Sequence, residues 1–332
     1  MTQPTIVTTI DYHTGGEPFR IVTGGVPPLE GASILDKRRY AKEHLDHVRK
    51  LVVYEPRGHA DMYGCFVTDA VDEDGDLGVV FFHNEGYSTA CGHGTIALVT
   101  WALESGRVPP GGTAPQVVVD APSGRLTTAA QMDGDRVSSV RFTNVPSFVW
   151  GSGVKVETSA GTIGCDVSYG GAFYASVAAA DVGLAVTKED LPRLIEVGRE
   201  VKRGIERAHD VVHPDEPELN GVYGVIFFED APAEDHALGQ RNVTIFADGE
   251  VDRSPCGSGT SARLALLDAS GELPRGATLR HESIVGSVFV ARVSDEVDRG
   301  VITEVEGSAF RTGAHEFFLD PADPVGTGFL LR

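Results

Sequence analysis

The chain lacks most of the features that would tie it to a membrane, a disulfide scaffold or a polyanion. Its 332 residues contain no apolar run approaching the roughly 18 that a membrane span needs. The start, Met1-Thr2-Gln3-Pro4-Thr5, has neither the basic stretch nor the apolar core of a signal peptide, so a cytoplasmic location is expected. Four cysteines, Cys65, Cys91, Cys165 and Cys256, are too few and too scattered for a disulfide framework and read as free thiols. There is no Cys-x-x-Cys pair, which argues against a zinc site. The six lysines lie mostly in charged helical segments, where a Schiff base would not form, which argues against pyridoxal phosphate. Positive charge is also short, 28 Lys and Arg against 48 Asp and Glu; the formal net charge of −20 disfavours nucleic acid and anionic membrane as partners.

What the chain does have is apolar content, 41% of its residues, enough for about two buried cores at this length. It also has a repeat. Val79 to Phe82 is a β-rich apolar run followed by a polar turn and Cys91-Gly92-His93-Gly94-Thr95; Val243 to Phe246 is another, followed by a turn and Cys256-Gly257-Ser258-Gly259-Thr260. Each Cys-Gly-x-Gly-Thr opens a helical pattern that closes at Ser-Gly, and 15 residues separate Cys91 from Gly106 just as 15 separate Cys256 from Gly271. Such matched spacing implies a duplicated unit: a first half over 1–135 carrying Cys91, completed by 308–332, and a second half over 136–307 carrying Cys256.

Cys-Gly-x-Gly at a helix start has a definite chemistry. The positive end of the helix dipole lowers the pKa of the cysteine, and small neighbours leave the next backbone N–H groups free to point at an anion. Each copy therefore reads as a thiolate beside a carboxylate cradle. If the halves face each other, the two thiols reach one ligand from opposite sides, which suits removal of a proton from one face of a chiral carbon and its return to the other. The developing enediolate would be stabilised by both helix N-termini, and no cofactor is needed. Two activated thiols should also make activity depend on reductant. A cysteine hydrolase with His93 as base fits poorly, because no orienting acid is evident. A non-enzymatic binder of small carboxylates would need the glycine N–H groups but not the sulfurs.

Elsewhere, Thr5 to Tyr12 and Phe19 to Thr23 read as strands flanking a glycine-rich loop, Asp11 to Pro18, that is either a tight turn or ligand-facing. Ile34 to Leu51 reads as one surface helix with Leu45 and Val48 inward and His44 and His47 in solvent; Lys188 to Ala208 is its counterpart. His59 and Asp61 read as turn residues more readily than as an acid/base pair. Gln116 to Thr143 is hairpin-like, Asn220 to Glu229 and Asn242 to Asp248 are strands, and short strands follow from Thr278.

Several phrases then resemble the proline racemase family: Asp11-Tyr12-His13-Thr14-Gly15-Gly16-Glu17-Pro18, Pro56-Arg57-Gly58-His59-Ala60-Asp61-Met62-Tyr63-Gly64, His83-Asn84-Glu85-Gly86-Tyr87, Cys91-Gly92-His93-Gly94 and Asp252-Arg253-Ser254-Pro255-Cys256-Gly257-Ser258-Gly259. The resemblance runs from about residue 8 to the Gly328-Phe329-Leu330-Leu331 end. It implies an α/β, diaminopimelate epimerase-like fold of two pseudo-symmetric halves, each wrapping strands around a central helix, with the site in the cleft between them. It implies Cys91 and Cys256 as the acid/base pair, Gly92, His93, Gly257 and Ser258 as backbone donors to the substrate carboxylate, and Asp252 with the His93 side chain at the substrate nitrogen.

The family holds proline racemases, 4-hydroxyproline 2-epimerases and trans-3-hydroxy-L-proline dehydratases. Both thiols fit a two-base isomerase acting on proline or 4-hydroxyproline, since dehydratases commonly replace one thiol by threonine or serine. Phe246 matches an apolar residue that faces the ring in proline racemases, which leans toward proline. Against this, Glu85 to Thr89 and Arg57 to Gly64 look like dehydratase members, and Ala90 departs from the methionine or serine often found there. The implied partners are a small amino-acid substrate, no metal and no cofactor, with a homodimer as the assembly to test.

Overall fold

A computed structural model describes residues 5–331; the first four residues, on which the expectation of no signal peptide rests, lie outside the described residues. The chain divides into two compact units, one of 1–90, 94–140 and 308–332, the other of 91–93 and 141–307.

In the first unit, strands Thr5–Thr14 and Glu17–Gly24 form a hairpin. The Asp11 to Pro18 stretch is thus mostly strand, closed by Gly15 and Gly16 at φ of 58° and 89°, values open to glycine without a Cβ clash. Within it, the Asp11 carboxylate is buried against the Arg20 guanidinium at 2.7 Å. Strand Ala309–Leu319 pairs antiparallel with Thr5–Thr14, so the C-terminal segment completes this unit. Leu77–His83 is buried at every position, as expected for a strand covered on both faces. The expected single helix is two, α1 (Ile34–His44) and α2 (Asp46–Val53), separated at Leu45. Leu45 and Val48 do turn inward, at 3% and 2% exposure, and His44 and His47 are exposed. A third helix, α3 (Gly92–Glu104), carries Ile96, Ala97, Leu98 and Val99 fully buried; a helix apolar all round belongs inside a core.

In the second unit, Phe173–Ala178 pairs antiparallel with Gly161–Tyr169 and parallel with Val222–Asp230, which is antiparallel to Leu238–Phe246. The short strand Glu250–Asp252 folds back on Leu238–Phe246 and places Asp252 opposite Thr244. Helix α4 (Leu191–Ala208) buries Leu194, Val197, Val201 and Ile205, the stripe that helical spacing predicts, and starts three residues later than expected. Helix α5 (Gly257–Ser270) is buried from Gly257 through Leu267. The strands after Thr278 are not all short, since Val288–Val297 spans 10 residues and Ala309–Leu319 spans 11.

No helix is long and apolar enough to cross a membrane, among the described residues.

Candidate active site

The two helices that follow the repeated cysteines begin where the sequence places them and end at Glu104 and Ser270, beside the Ser-Gly stops. Gly271 closes α5 at φ 75°, the left-handed C-cap for which glycine is suited. Cys91, Gly92 and His93 group with the second unit, and so do Asp252, Cys256, Gly257 and Ser258. All lie within that one unit.

The first turns of α3 and α5 meet backbone to backbone. A Cβ at Gly92 would stand 2.5 Å from the Gly257 Cα, and one at Gly257 would stand 2.7 Å from the Gly92 Cα, with the Phe142 ring about as near to both. The glycine after each cysteine is therefore required by the other one. The fourth position of the second motif is glycine for a different reason: a Cβ at Gly259 would lie 2.9 Å from the Cys256 Sγ, which folds over it.

Cys256 itself has φ 63° and ψ 98°, a conformation that costs a non-glycine residue on the order of 1–3 kcal/mol and persists only when its surroundings impose it. Those surroundings are a chain of short bonds. The Ser254 N–H donates to Asp252 Oδ1 at 2.8 Å, the Cys256 N–H donates to Ser254 Oγ at 3.0 Å, and the Thr260 N–H donates to the Cys256 carbonyl at 2.7 Å. No side-chain hydrogen bond to Cys256 as N-cap residue closes the start of α5.

The two thiols differ in their neighbours. Cys91 Sγ lies 3.4 Å from His93 Nε2 and 3.6 Å from Nδ1, and His93 Nδ1 lies 3.7 Å from Asp252 Oδ2. His93 and Asp252, expected side by side at the substrate nitrogen, therefore contact each other, and the acid that sequence reasoning could not find beside His93 is Asp252. Cys256 touches no imidazole in this way. Burial and then the Asp252 carboxylate push its thiol well above the ordinary range, against the opposing pull of the Gly259 N–H and the Thr244 and Tyr174 hydroxyls. The expectation that a helix start lowers this pKa is corrected here: desolvation outweighs the dipole. All four cysteines are buried, with Cys65 and Cys165 raised by burial as well, so burial does not separate the repeated pair from the others.

Burial would raise the Asp252 carboxyl, but the His93 imidazole and then Ser254 outweigh it and leave its pKa below the usual value. A carboxylate depressed in the folded state contributes stability above its unfolded pKa of about 3.9 and loses it as pH falls through the folded value. Asp252→Asn is therefore expected to flatten the fall of stability between about pH 4 and more acidic conditions, read as urea midpoints across that range; a variant that tracks the wild type would remove Asp252 from the account.

Other expected residues fall into place differently. Ser258 Oγ pairs with the Tyr174 hydroxyl at 2.7 Å, and Phe246 stacks on Tyr223 with ring centroids 5.5 Å apart, a packing that accounts for its burial. His59 is exposed, with Nδ1 2.7 Å from the Ala60 carbonyl, and Asp61 sits at φ 61°, in keeping with a turn. Asn84 of the His83 to Tyr87 phrase accepts from the Met62 N–H at 2.8 Å and donates to the Val53 carbonyl at 2.8 Å, a structural stitch. Sequence reasoning missed Tyr174 and Thr244, which sit on strands with no motif of their own, and gave Ser254 no role although it lies inside a quoted phrase.

The family model described as Proline racemase matches residues 9–330. The trans-3-hydroxy-L-proline dehydratase of Bacillus cereus is 46% identical, with 98% of both chains covered. The 3-hydroxyproline 2-epimerase of Burkholderia multivorans is 48% identical over 98% of each. Among solved structures, a hydroxyproline epimerase from Agrobacterium vitis with bound trans-4-OH-L-proline superposes with a TM-score of 0.90 at 32% identity, covering 98% of this chain and 96% of that one. The α/β, diaminopimelate epimerase-like fold is the one expected. With a family model matched along nearly its whole length and relatives this similar, the chain belongs to the proline racemase family of enzymes.

Proposed function

We propose that this enzyme removes the Cα proton of a proline whose ring carries a hydroxyl on C3 and expels that hydroxyl as water, a trans-3-hydroxy-L-proline dehydratase reaction. The observation that carries the reading is the unequal pair of thiols. Cys91 stands beside an imidazole that has a carboxylate behind it, whereas Cys256 has the Tyr174 hydroxyl beside it in surroundings whose burial and Asp252 carboxylate push its thiol up. A racemase needs two groups that exchange roles with each enantiomer. Elimination from the trans isomer, whose hydroxyl and Cα hydrogen share one ring face, needs a base on that face alone.

Cys91, as thiolate at the α3 N-terminus, takes the Cα proton. The leading N–H groups of Gly92, His93, Gly257 and Ser258 hold the carboxylate and stabilise the enediolate. As the C3–O bond breaks, the departing hydroxyl, which in the trans isomer lies on the same ring face as the Cα hydrogen, takes the proton that Cys91 has just accepted and leaves as water; the carbon skeleton is left with a C2–C3 double bond, which tautomerises to the cyclic imine. The names of relatives near half identity, which specify a 3-hydroxyl, support this ring position over the proline or 4-hydroxyproline favoured from Phe246.

Epimerisation at Cα is kept as a second reading, because a second thiol is present and a 48% identical relative is named for it. Here Cys256 would return its proton to Cα instead. Incubating the enzyme in D2O with trans-3-hydroxy-L-proline, trans-4-hydroxy-L-proline or L-proline and following each by proton NMR separates these outcomes. Pyrroline carboxylate from the 3-hydroxy substrate alone is the expected result. A Cα-deuterated epimer accumulating without loss of water would replace the first reading by the second.

A further inference from the structure

Tyr174 lies on Phe173–Ala178 with 1% of its surface exposed, packed with Ala172, Ile226, Ala262 and Cys256 and set edge-on to Tyr223 at 5.8 Å. Its hydroxyl is 2.7 Å from Ser258 Oγ and 3.9 Å from Cys256 Sγ. A second hydroxyl, Thr244 Oγ1, is buried without a hydrogen bond of ordinary geometry and is near enough to Cys256 to favour its ionised form. Two unpaired or re-orientable hydroxyls around one sulfur are an unusual use of buried polar groups, which normally find fixed partners.

We propose that Tyr174 is a positioning residue for Cys256, forming with Ser258 a two-hydroxyl relay whose direction reverses when the sulfur gives up its proton. In the thiol state the S–H donates to the Tyr174 oxygen and the Tyr174 O–H donates to Ser258. Once the proton has left, Ser258 donates to Tyr174 and Tyr174 donates to the thiolate. No heavy atom moves far and no proton is gained or lost by the relay; only the two O–H bonds reorient. Tyr174 stays protonated throughout, since burial and then the nearby Cys256 push its own pKa well up, so it serves as a donor and not as a competing acid. The titratable groups facing this sulfur are Asp252 and Tyr174, with Tyr223 facing Tyr174 in turn.

The inference rests on Cys256 giving up a proton, the role it has in the epimerisation reading, but its test needs no substrate. The rate of iodoacetamide labelling at each cysteine, followed by peptide mass spectrometry from pH 7 to 11, reports thiolate formation site by site. Tyr174→Phe keeps the ring and its packing and removes only the hydroxyl. Labelling of Cys256 is expected to slow about tenfold at a given pH, the scale of one lost hydrogen bond to a charged group, while Cys91 keeps its wild-type profile. Labelling curves for Cys256 that superpose on the wild type would overturn the proposal. Should Tyr174→Phe fail to fold, Ser258→Ala decides: it breaks the relay one bond further out, and an upward shift at Cys256 supports the relay whereas an unmoved curve overturns it. If the shift is seen but no hydroxyproline is turned over, the functional reading fails and the relay stands.

Discussion

Cys91→Ala is expected to abolish both product formation and exchange of the substrate Cα proton with solvent, a loss of about 10²–10⁴-fold or more, while Cys256→Ala is expected to keep both. The difference follows from the neighbours of the two sulfurs. Without Cys91 nothing is placed beside His93 and Asp252 to accept the Cα proton. Without Cys256 the Cα proton still leaves through Cys91, which returns it to Cα or hands it to the hydroxyl on the same ring face. Turnover by product assay and exchange by NMR in D2O measure the two quantities separately. Equal loss of exchange in both variants would mean that the thiols are interchangeable, as in a racemase, and exchange surviving in Cys91→Ala would reverse the assignment of roles.

Gly257→Ala is expected to lower turnover by about 10²-fold or more and to destabilise the fold by about 1–3 kcal/mol. Its Cβ would stand 2.7 Å from the Gly92 Cα and 3.0 Å from the Phe142 ring, and the first of these is backbone that cannot swing away. The two first turns would have to separate, and a displacement near 1 Å at reacting groups costs about two orders of magnitude in rate. Gly271→Ala at the far end of the same helix is the control: it strains a left-handed residue at φ 75° but meets no atom within 4 Å. It should cost about 1 kcal/mol in urea unfolding and leave turnover unchanged. If Gly257→Ala behaves no worse than Gly271→Ala, the contact between the turns has no part in catalysis.

Much of this arrangement was legible because the repeat carries its own register. The helix starts and the Ser-Gly stops follow from local rules of helix capping, and those held at α3 and α5. What local rules could not provide was pairing across sequence distance. The contact of His93 with Asp252, separated by a large part of the chain, is fixed by the hairpin that sets Asp252 opposite Thr244, and no spacing in the sequence encodes it. The Cys256 thiol escaped for the same reason, since the dipole at its helix start is local while the burial that outweighs it is collective. The break at Leu45 was missed because apolar periodicity runs on through it; only the turn of backbone there, at φ −118° and ψ 8°, separates α1 from α2.

The meeting of Gly92 with Gly257 has an electrostatic side as well. Each helix terminus carries roughly half a positive charge, and neither first turn contains an acidic residue to neutralise it. At a separation of a few ångströms, two such poles repel by on the order of 1 kcal/mol at an effective dielectric near 20. On the proposed reading, a small carboxylate held by both first turns would relieve that repulsion. The protein should melt at a higher temperature in the presence of simple anions such as pyrrole-2-carboxylate, which offers a carboxylate but no Cα proton, and added chloride should compete this gain away.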